Sequence, residues 1–410
     1  MSRLFVKTFG CTLNKKDTLE IVKNDEYTDD LNNIKMADYI LINTCGVKEQ
    51  TQTKIINFLK KIKEQKINEN KIIIFGCLVD IDKSALKKII PNARYFKVSE
   101  KEKIEKIIGK RKEAKIKETT KIIIISNGCL GNCYYCAVKF ARGTLVSKPI
   151  KQIVKEIKKE ITQNNAKEIY LTSQDCACYG KDINSNLVLL LKEIIKIKKD
   201  FKVRVGMGNP QHLLPILKDL IKIYKNKKIY KFLHVPIQSG ENQVLKEMNR
   251  YYKIEDAFKI ITEFKKNIKN ITIATDIIVG YPTENNKSFK NTLKVIKKIK
   301  PDIINISRFG QRKNIEANKY KELSGTIKKE RSRQITNLFE KICFENNKKY
   351  LNKTKEILIT EKGKNNSMIG KTNEYKSVVV FENINIGEKI KVKINKVDKY
   401  YLLGNILKTK

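Results

Sequence analysis

At 410 residues the chain is too long for one hydrophobic core, and two or three domains are expected. Apolar residues at 41% and charged residues at 32% describe a folded chain, and no apolar run exceeds five residues, which excludes a membrane helix. The net charge of +42 favours a polyanionic partner, although only ten of the 86 basic residues are Arg and an AT-rich genome produces the same lysine bias.

The first 112 residues alternate strand and helix signals. Arg3–Phe9 alternates in the strand manner, Tyr39–Asn43 and Lys71–Phe75 are short apolar runs, and Phe96–Val98 makes a fourth strand. Lys- and Glu-rich helical stretches between them predict βαβ units and a parallel sheet. The start, Met1-Ser-Arg-Leu-Phe-Val-Lys7, lacks a signal-peptide core, so a cytoplasmic protein is expected. A charged run, Lys110–Glu118, reads as a linker. From Lys121 to Lys348 a longer alternation follows, with strands at Ile122–Ser126, Glu168–Thr172, Phe201–Val205, Phe232–Pro236, Ile271–Val279 and Ile303–Ser307. Six strands, most followed by Ile- and Lys-rich helices, predict a barrel or partial barrel. The last 60 residues carry strands at Glu356–Thr360, Ser377–Phe381, Lys389–Ile394 and Tyr401–Leu403, with Gly370, Gly387 and Gly404 near the turns. They predict a small β-barrel.

Nine cysteines without an export signal point to metal or redox chemistry rather than disulfides. With only two His in the chain, a histidine-dominated metal site is nearly excluded. Cys129, Cys133 and Cys136 give the spacing Cys-x3-Cys-x2-Cys just after a strand. Three thiolates can hold a four-iron cubane and leave one iron open to a small molecule. Zinc prefers closed four-ligand sites, and no fourth ligand lies nearby. Cys11, Cys45 and Cys77 are 34 and 32 residues apart, each directly after an apolar strand. In a parallel sheet such strand ends share one edge, where ligands bind. Their other reading is as buried small apolar groups.

The central motif resembles that of the radical S-adenosylmethionine superfamily. Over essentially the whole chain the plan is similar to the methylthiotransferases: an amino-terminal cysteine triplet, the central motif, and a terminal barrel like their RNA-binding TRAM domain. Asn43-Thr44-Cys45, Leu171-Thr-Ser-Gln-Asp175, His234-Val-Pro-Ile-Gln-Ser-Gly240, Met248-Asn-Arg250 and Thr275-Asp-Ile-Ile-Val-Gly-Tyr-Pro-Thr283 carry the likeness. Arg204-Val-Gly-Met-Gly-Asn-Pro210 is most similar to the archaeal and eukaryotic branch, which acts on N6-threonylcarbamoyladenosine beside the tRNA anticodon, at position 37.

The resemblance implies an α/β fold in three parts: an amino-terminal domain over 1–112, a radical core over 118–348 and a TRAM-like barrel over 350–410. It implies two 4Fe-4S clusters, one on Cys129, Cys133 and Cys136 that cleaves S-adenosylmethionine, one on Cys11, Cys45 and Cys77 that presents methylated sulfur. The partners it implies are the tRNA anticodon stem-loop and a reductant. It leaves open two other substrates, isopentenyladenosine in tRNA and a ribosomal protein aspartate. The alternative outside enzymes is an RNA-binding module with a structural cluster.

For S-adenosylmethionine the candidates are Tyr135, Gln174, Asp175, Arg204 and Gln238, the last four read as strand-end groups. Its carboxylate suits an Arg fork, with Arg142 and Arg204 both open. His234 reads as a hydrogen-bonded core residue and Asp276 as one of a pair. Cys176, Cys178 and Cys343 read as non-ligands. Ser307–Ala317 keeps the Arg and Ala of the family's segment but not its Gly-Thr, and Lys148 stands where Arg is commoner. The tail lysines Lys353, Lys355, Lys371, Lys376, Lys389, Lys391 and Lys393 are expected to meet RNA phosphates, and removal of the tail is expected to leave upstream chemistry intact.

Overall fold

The computed structural model describes residues 3–23, 27–47, 49–109 and 119–407; the expected linker Lys110–Glu118 lies outside them. Two compact units result, and neither is contiguous in sequence. One comprises Met1–Ile116, Asn127–Val146 and Phe309–Glu322, the other Lys117–Ser126, Ser147–Arg308 and Leu323–Lys410. The cysteine loop therefore groups with the amino-terminal sheet rather than with the barrel its sequence position suggests.

The first unit is built on four parallel strands, β1 (Leu4–Thr8), β2 (Tyr39–Thr44), β3 (Ile72–Gly76) and β4 (Arg94–Phe96), in that order. Its central strands are apolar on both faces because both are covered. Phe5, Ile40, Ile42, Ile72 and Ile74 meet Ile55, Phe58, Leu59 and Ile62 on one side. Leu4, Val6, Leu41, Ile73 and Phe75 meet Ile21, Val22, Ile104 and Ile108 on the other. The helices are α1 (Thr12–Val22), α2 (Glu49–Glu64), α3 (Cys77–Lys87) and α4 (Lys101–Ile108), with the short α5 (Val138–Arg142) following the cysteine loop.

Strands β5 (Thr120–Ile124), β6 (Ser126–Asn127) and β7 (Val146–Ser147) precede the main run of the second unit. That run is β8 (Glu168–Thr172), β9 (Lys202–Val205), β10 (Phe232–His234), β11 (Thr272–Val279) and β12 (Ile303–Arg308). They pair in parallel as β5-β8-β9 and β10-β11-β12, a six-stranded partial barrel. Period-2 alternation sorts its side chains. Ile169, Leu171, Val203, Val205, Leu233, Ile273, Ile277 and Ile304 join the helices in one large core. The intervening Tyr170, Arg204 and Phe232 meet on the opposite face.

The tail closes into a barrel of β13 (Thr354–Lys362), β14 (Met368–Thr372), β15 (Ser377–Val380), β17 (Leu402–Ile406) and β16 (Lys389–Val397), in that spatial order. β14 has no counterpart in the sequence reading, and Gly370 and Gly404 stand inside strands rather than at turns. A Cβ on Gly370 would lie 2.6 Å from the Ile357 side chain, so the small barrel needs glycine for close approach.

Two tail expectations change. The β14–β15 turn carries Tyr375, at φ 63, against the start of the larger barrel's strands. Its hydroxyl donates to Tyr170 Oη at 2.6 Å, and its ring lies 4.8 Å from Phe232 and 5.1 Å from Tyr230. Lys231 N donates to Asn373 O, and Thr272 Oγ1 donates to Glu374 O. Removing the tail would strip these contacts from the barrel, so it is not a neutral deletion. Lys376 is buried on Asp302 and Asn347, Lys355 pairs with Glu374, and Lys371 donates to Ser377. Lys353, Lys389, Lys391 and Lys393 are the exposed members of the set, and Lys389 pairs with Asp200.

Candidate metal centre

Strand ends deliver the first three cysteines. Cys11 follows β1 and caps α1, Cys45 follows β2, and Cys77 opens α3 directly after β3. Two of the three therefore sit at helix N-termini, where unpaired N–H groups favour anionic sulfur. Gly10, at φ 113, makes the fit possible: a Cβ there would lie 2.6 Å from Cys45 Cβ and 2.9 Å from its Sγ. Asn14 Oδ1 lies 3.7 Å from Cys11 Sγ and 3.8 Å from Cys77 Sγ. The Asn14 amide donates to Phe9 O and Thr44 O, tying the ends of β1 and β2 together.

Burial disfavours the thiolate at two of the three, Cys45 and Cys77. Burial pushes Cys45 up to about 12, against the Val47 N–H that favours the thiolate. Burial also raises Cys77, opposed by the charge of Arg142. Ionising them calls for strong positive charge, which a metal cluster supplies. The residues present fit such a group: three strand-end cysteines, two of them on one Asn14 oxygen and the third against Gly10, where there is no room for a larger residue.

The second triplet is local. The loop from Cys129 to Cys136 turns its N–H groups toward its own sulfurs: Gly131 N donates to Cys129 Sγ at 3.2 Å, and Val138 and Lys139 donate to Cys136. A Cβ on Gly131 would lie 3.4 Å from Cys129 Sγ and 3.6 Å from Cys133 Sγ, in ordinary contact. Burial, then the Cys133 thiol beside it, pushes Cys136 up to about 11. Backbone donors aimed at sulfur are the usual support of an iron–sulfur cluster, and they fit one here. Tyr135 is half-buried in the same loop. Segment 309–322 lies on this unit too: Ala317 N donates to Tyr134 O, and Arg312 Nε donates to Gly46 O, one residue from Cys45.

The other candidates stand in the second unit. Gln174 follows β8, and its Oε1 is buried without a partner among the described residues, an open acceptor at the carboxyl edge of the barrel. Gln238 extends β10, its N–H on Asp276 O and its C=O accepting from Ile278 N. Asp175 is differently engaged from the strand-end role expected of it. One oxygen accepts from Ala177 N and Asn209 N, and the other meets His212 Nδ1 at 2.6 Å. Arg204 also departs from the expectation. Its guanidinium lies 4.8–5.4 Å from the Phe232, Tyr170 and Tyr375 rings, an aromatic cage at the start of the strands rather than their carboxyl edge.

A network the sequence did not reveal joins three strands. His234 Nε2 lies 3.1 Å from both Asp276 oxygens, and Asn305 Nδ2 donates to Asp276 Oδ1 at 2.7 Å. Pairing of Asp276 with Asn305 across β11 and β12 brings them together. An aspartate interrupting an apolar strand was the signal; Asn305 had none. Among the described residues, Asp175, Cys178 and His212 have donor atoms within 4.8 Å of one another. Cys178 donates to Asp175 O, so this trio is a hydrogen-bonded core cluster. Cys176, in turn, lies against Ser173 Oγ and Leu171 O.

Comparison with known proteins follows this geometry. Residues 123–296 match the radical SAM superfamily, residues 3–97 the uncharacterized protein family UPF0004, and residues 348–407 the TRAM domain. Probable threonylcarbamoyladenosine tRNA methylthiotransferases of Archaeoglobus fulgidus and Methanocaldococcus jannaschii are both 37% identical. Each alignment covers at least 97% of both chains. The Homo sapiens threonylcarbamoyladenosine tRNA methylthiotransferase is 30% identical over 98% of this chain and 74% of its own. Among solved structures, the radical S-adenosylmethionine methyltransferase TsrM of Kitasatospora setae superposes with a TM-score of 0.56 at 12% identity. The match covers 77% of each chain and is a likeness of fold alone. No helix among the described residues is long and apolar enough to cross a membrane.

Proposed function

Because the chain belongs to the radical S-adenosylmethionine tRNA methylthiotransferase family, we propose that it converts N6-threonylcarbamoyladenosine at tRNA position 37 to its 2-methylthio derivative. The carrying observation is that two three-cysteine sets, each with a cradle suited to sulfur, belong to one compact unit. When bound, a 4Fe-4S cluster on Cys129, Cys133 and Cys136 supplies the electron that cleaves S-adenosylmethionine, and a second on Cys11, Cys45 and Cys77 supplies the sulfur-bearing site.

The chain's own residues position and exclude. Gly131, Val138 and Lys139 stabilise anionic sulfur through their N–H groups. For S-adenosylmethionine, Tyr135 is the group proposed from the first unit; from the second, taken by itself, Gln238 and Gln174 are proposed, Gln174 through its unpaired Oε1. Asp175 serves from behind, fixing the loop after β8 to Asn209 and His212. Arg204 serves at the base of the barrel, stiffening the strands on which that loop stands. Exposed Lys353, Lys391 and Lys393 suit the phosphates of an anticodon stem-loop. The reaction also needs an electron donor, and such an enzyme works in the cytoplasm.

The test is mass spectrometry of tRNA nucleosides from cells with and without the gene. Loss of 2-methylthio-threonylcarbamoyladenosine alone is the expected outcome. Loss of the methylthio-isopentenyl nucleoside instead would reassign the substrate, and an unchanged nucleoside profile would overturn the reading.

A further inference from the structure

Arg142 ends α5, six residues beyond Cys136, and its side chain is 3% exposed. A guanidinium so buried must be fully met by acceptors or charge. Its Nη2 donates to Asp17 Oδ2 at 2.6 Å and to Asn14 Oδ1 at 3.1 Å, which uses both hydrogens of that nitrogen. The charge of the guanidinium is felt at Cys77, where it opposes the effect of burial. Asp17, 2% exposed, is shared with Lys101 at 3.0 Å, so it is not Arg142's alone. The Asn14 oxygen that Arg142 holds is the one lying 3.7–3.8 Å from Cys11 and Cys77. One residue leaving the local cysteine loop thus reaches the sulfurs of the other triplet.

We propose that Arg142 is a positioning residue for the amino-terminal cysteine site: held on the Asn14 oxygen, it places a fixed positive charge beside the Cys11 and Cys77 sulfurs of whatever cluster that triplet holds. A salt bridge that merely tethered the loop to α1 would need only Asp17; the second contact, on the Asn14 oxygen beside two sulfurs, is what gives Arg142 an electrostatic task. A cation beside ligating sulfurs stabilises the more negative, reduced state of a cluster and raises its potential. The inference rests on the reading that Cys11, Cys45 and Cys77 hold a 4Fe-4S cluster.

The test uses the full-length chain carrying Cys129→Ala, Cys133→Ala and Cys136→Ala, reconstituted anaerobically with iron and sulfide. Iron is counted, and the remaining cluster is titrated by EPR against potential, with Arg142 intact, Arg142→Lys and Arg142→Gln. One cluster is expected in the parent. Arg142→Gln should shift its midpoint to lower potential, and Arg142→Lys should restore most of the shift. A cluster held by the Lys variant and lost from the Gln variant also supports the proposal. An unchanged midpoint in Arg142→Gln overturns it, as does loss of the cluster from both variants, which would mean that shape and not charge matters. A parent that binds no iron removes the cluster reading itself, and the proposal with it.

Discussion

The two cysteine triplets solve one problem by opposite routes. Cys129, Cys133 and Cys136 fall within eight residues, and their supporting donors come from the same loop and the first turn of the helix that follows it. Cys11, Cys45 and Cys77 come from three strand ends, and their supports (Asn14, Gly10, Arg142) come from separate places. The local site is a property of a short sequence. The dispersed site is a property of the sheet, and any change in strand register would scatter it.

The largest effect that tests this contrast is removal of the local triplet. With Cys129, Cys133 and Cys136 all changed to Ala, iron should fall from two clusters to one and cleavage of S-adenosylmethionine to background. Loss of all iron would mean the sites are not independent. Next is Cys45→Ala, which should still cleave S-adenosylmethionine under reduction, within about twofold of the parent, yet make no methylthiolated tRNA. Normal product formation would remove Cys45 from the site.

A pair of glycines sharpens the comparison. Gly10→Ala adds a Cβ at 2.6 Å from Cys45 in a left-handed backbone, a strain of about 1–3 kcal/mol. It should cost the amino-terminal cluster and leave the other in place. Gly131→Ala adds a Cβ in ordinary contact and should change stability by less than about 0.5 kcal/mol, with both clusters retained. Iron content and melting of the two variants decide; equal behaviour would erase the difference between the sites. The variant with the least expected effect on iron lies away from both. Tyr375→Ala opens a gap among Tyr170, Tyr230 and Phe232 and should cost about 2–3 kcal/mol, because the ring is only partly buried. Tm should fall by several degrees with the iron count unchanged. Iron loss from this variant would tie cluster retention to the barrel's base.

Sequence showed the strands to within a few residues wherever an apolar run marked them, and Glu168–Thr172 without any shift. It passed over β14 because Gly370 resembles a turn residue until Ile357 is seen packed on it. Cysteine spacing displayed the local site outright, while the dispersed one showed only as a recurrence at strand ends. Arg204 was misplaced because a strand position gives depth but not which neighbours fill the far end, here Tyr375 from 171 residues away. Arg142 looked equally suited to a carboxylate elsewhere; only the packing of α5 near α1 gives it Asp17, Asn14 and Cys77.

The broken path of the chain has a consequence for how the protein is made. The first unit needs Phe309–Glu322, yet its other segments end at Val146. At about 5–20 residues per second a ribosome takes about ten to thirty seconds to make the stretch between. During that interval all six cysteines of the two triplets have been made, while Arg312, which later bonds to Gly46 beside Cys45, has not. Synthesis thus leaves an interval of that length in which the amino-terminal sheet exists without the last segment of its own unit.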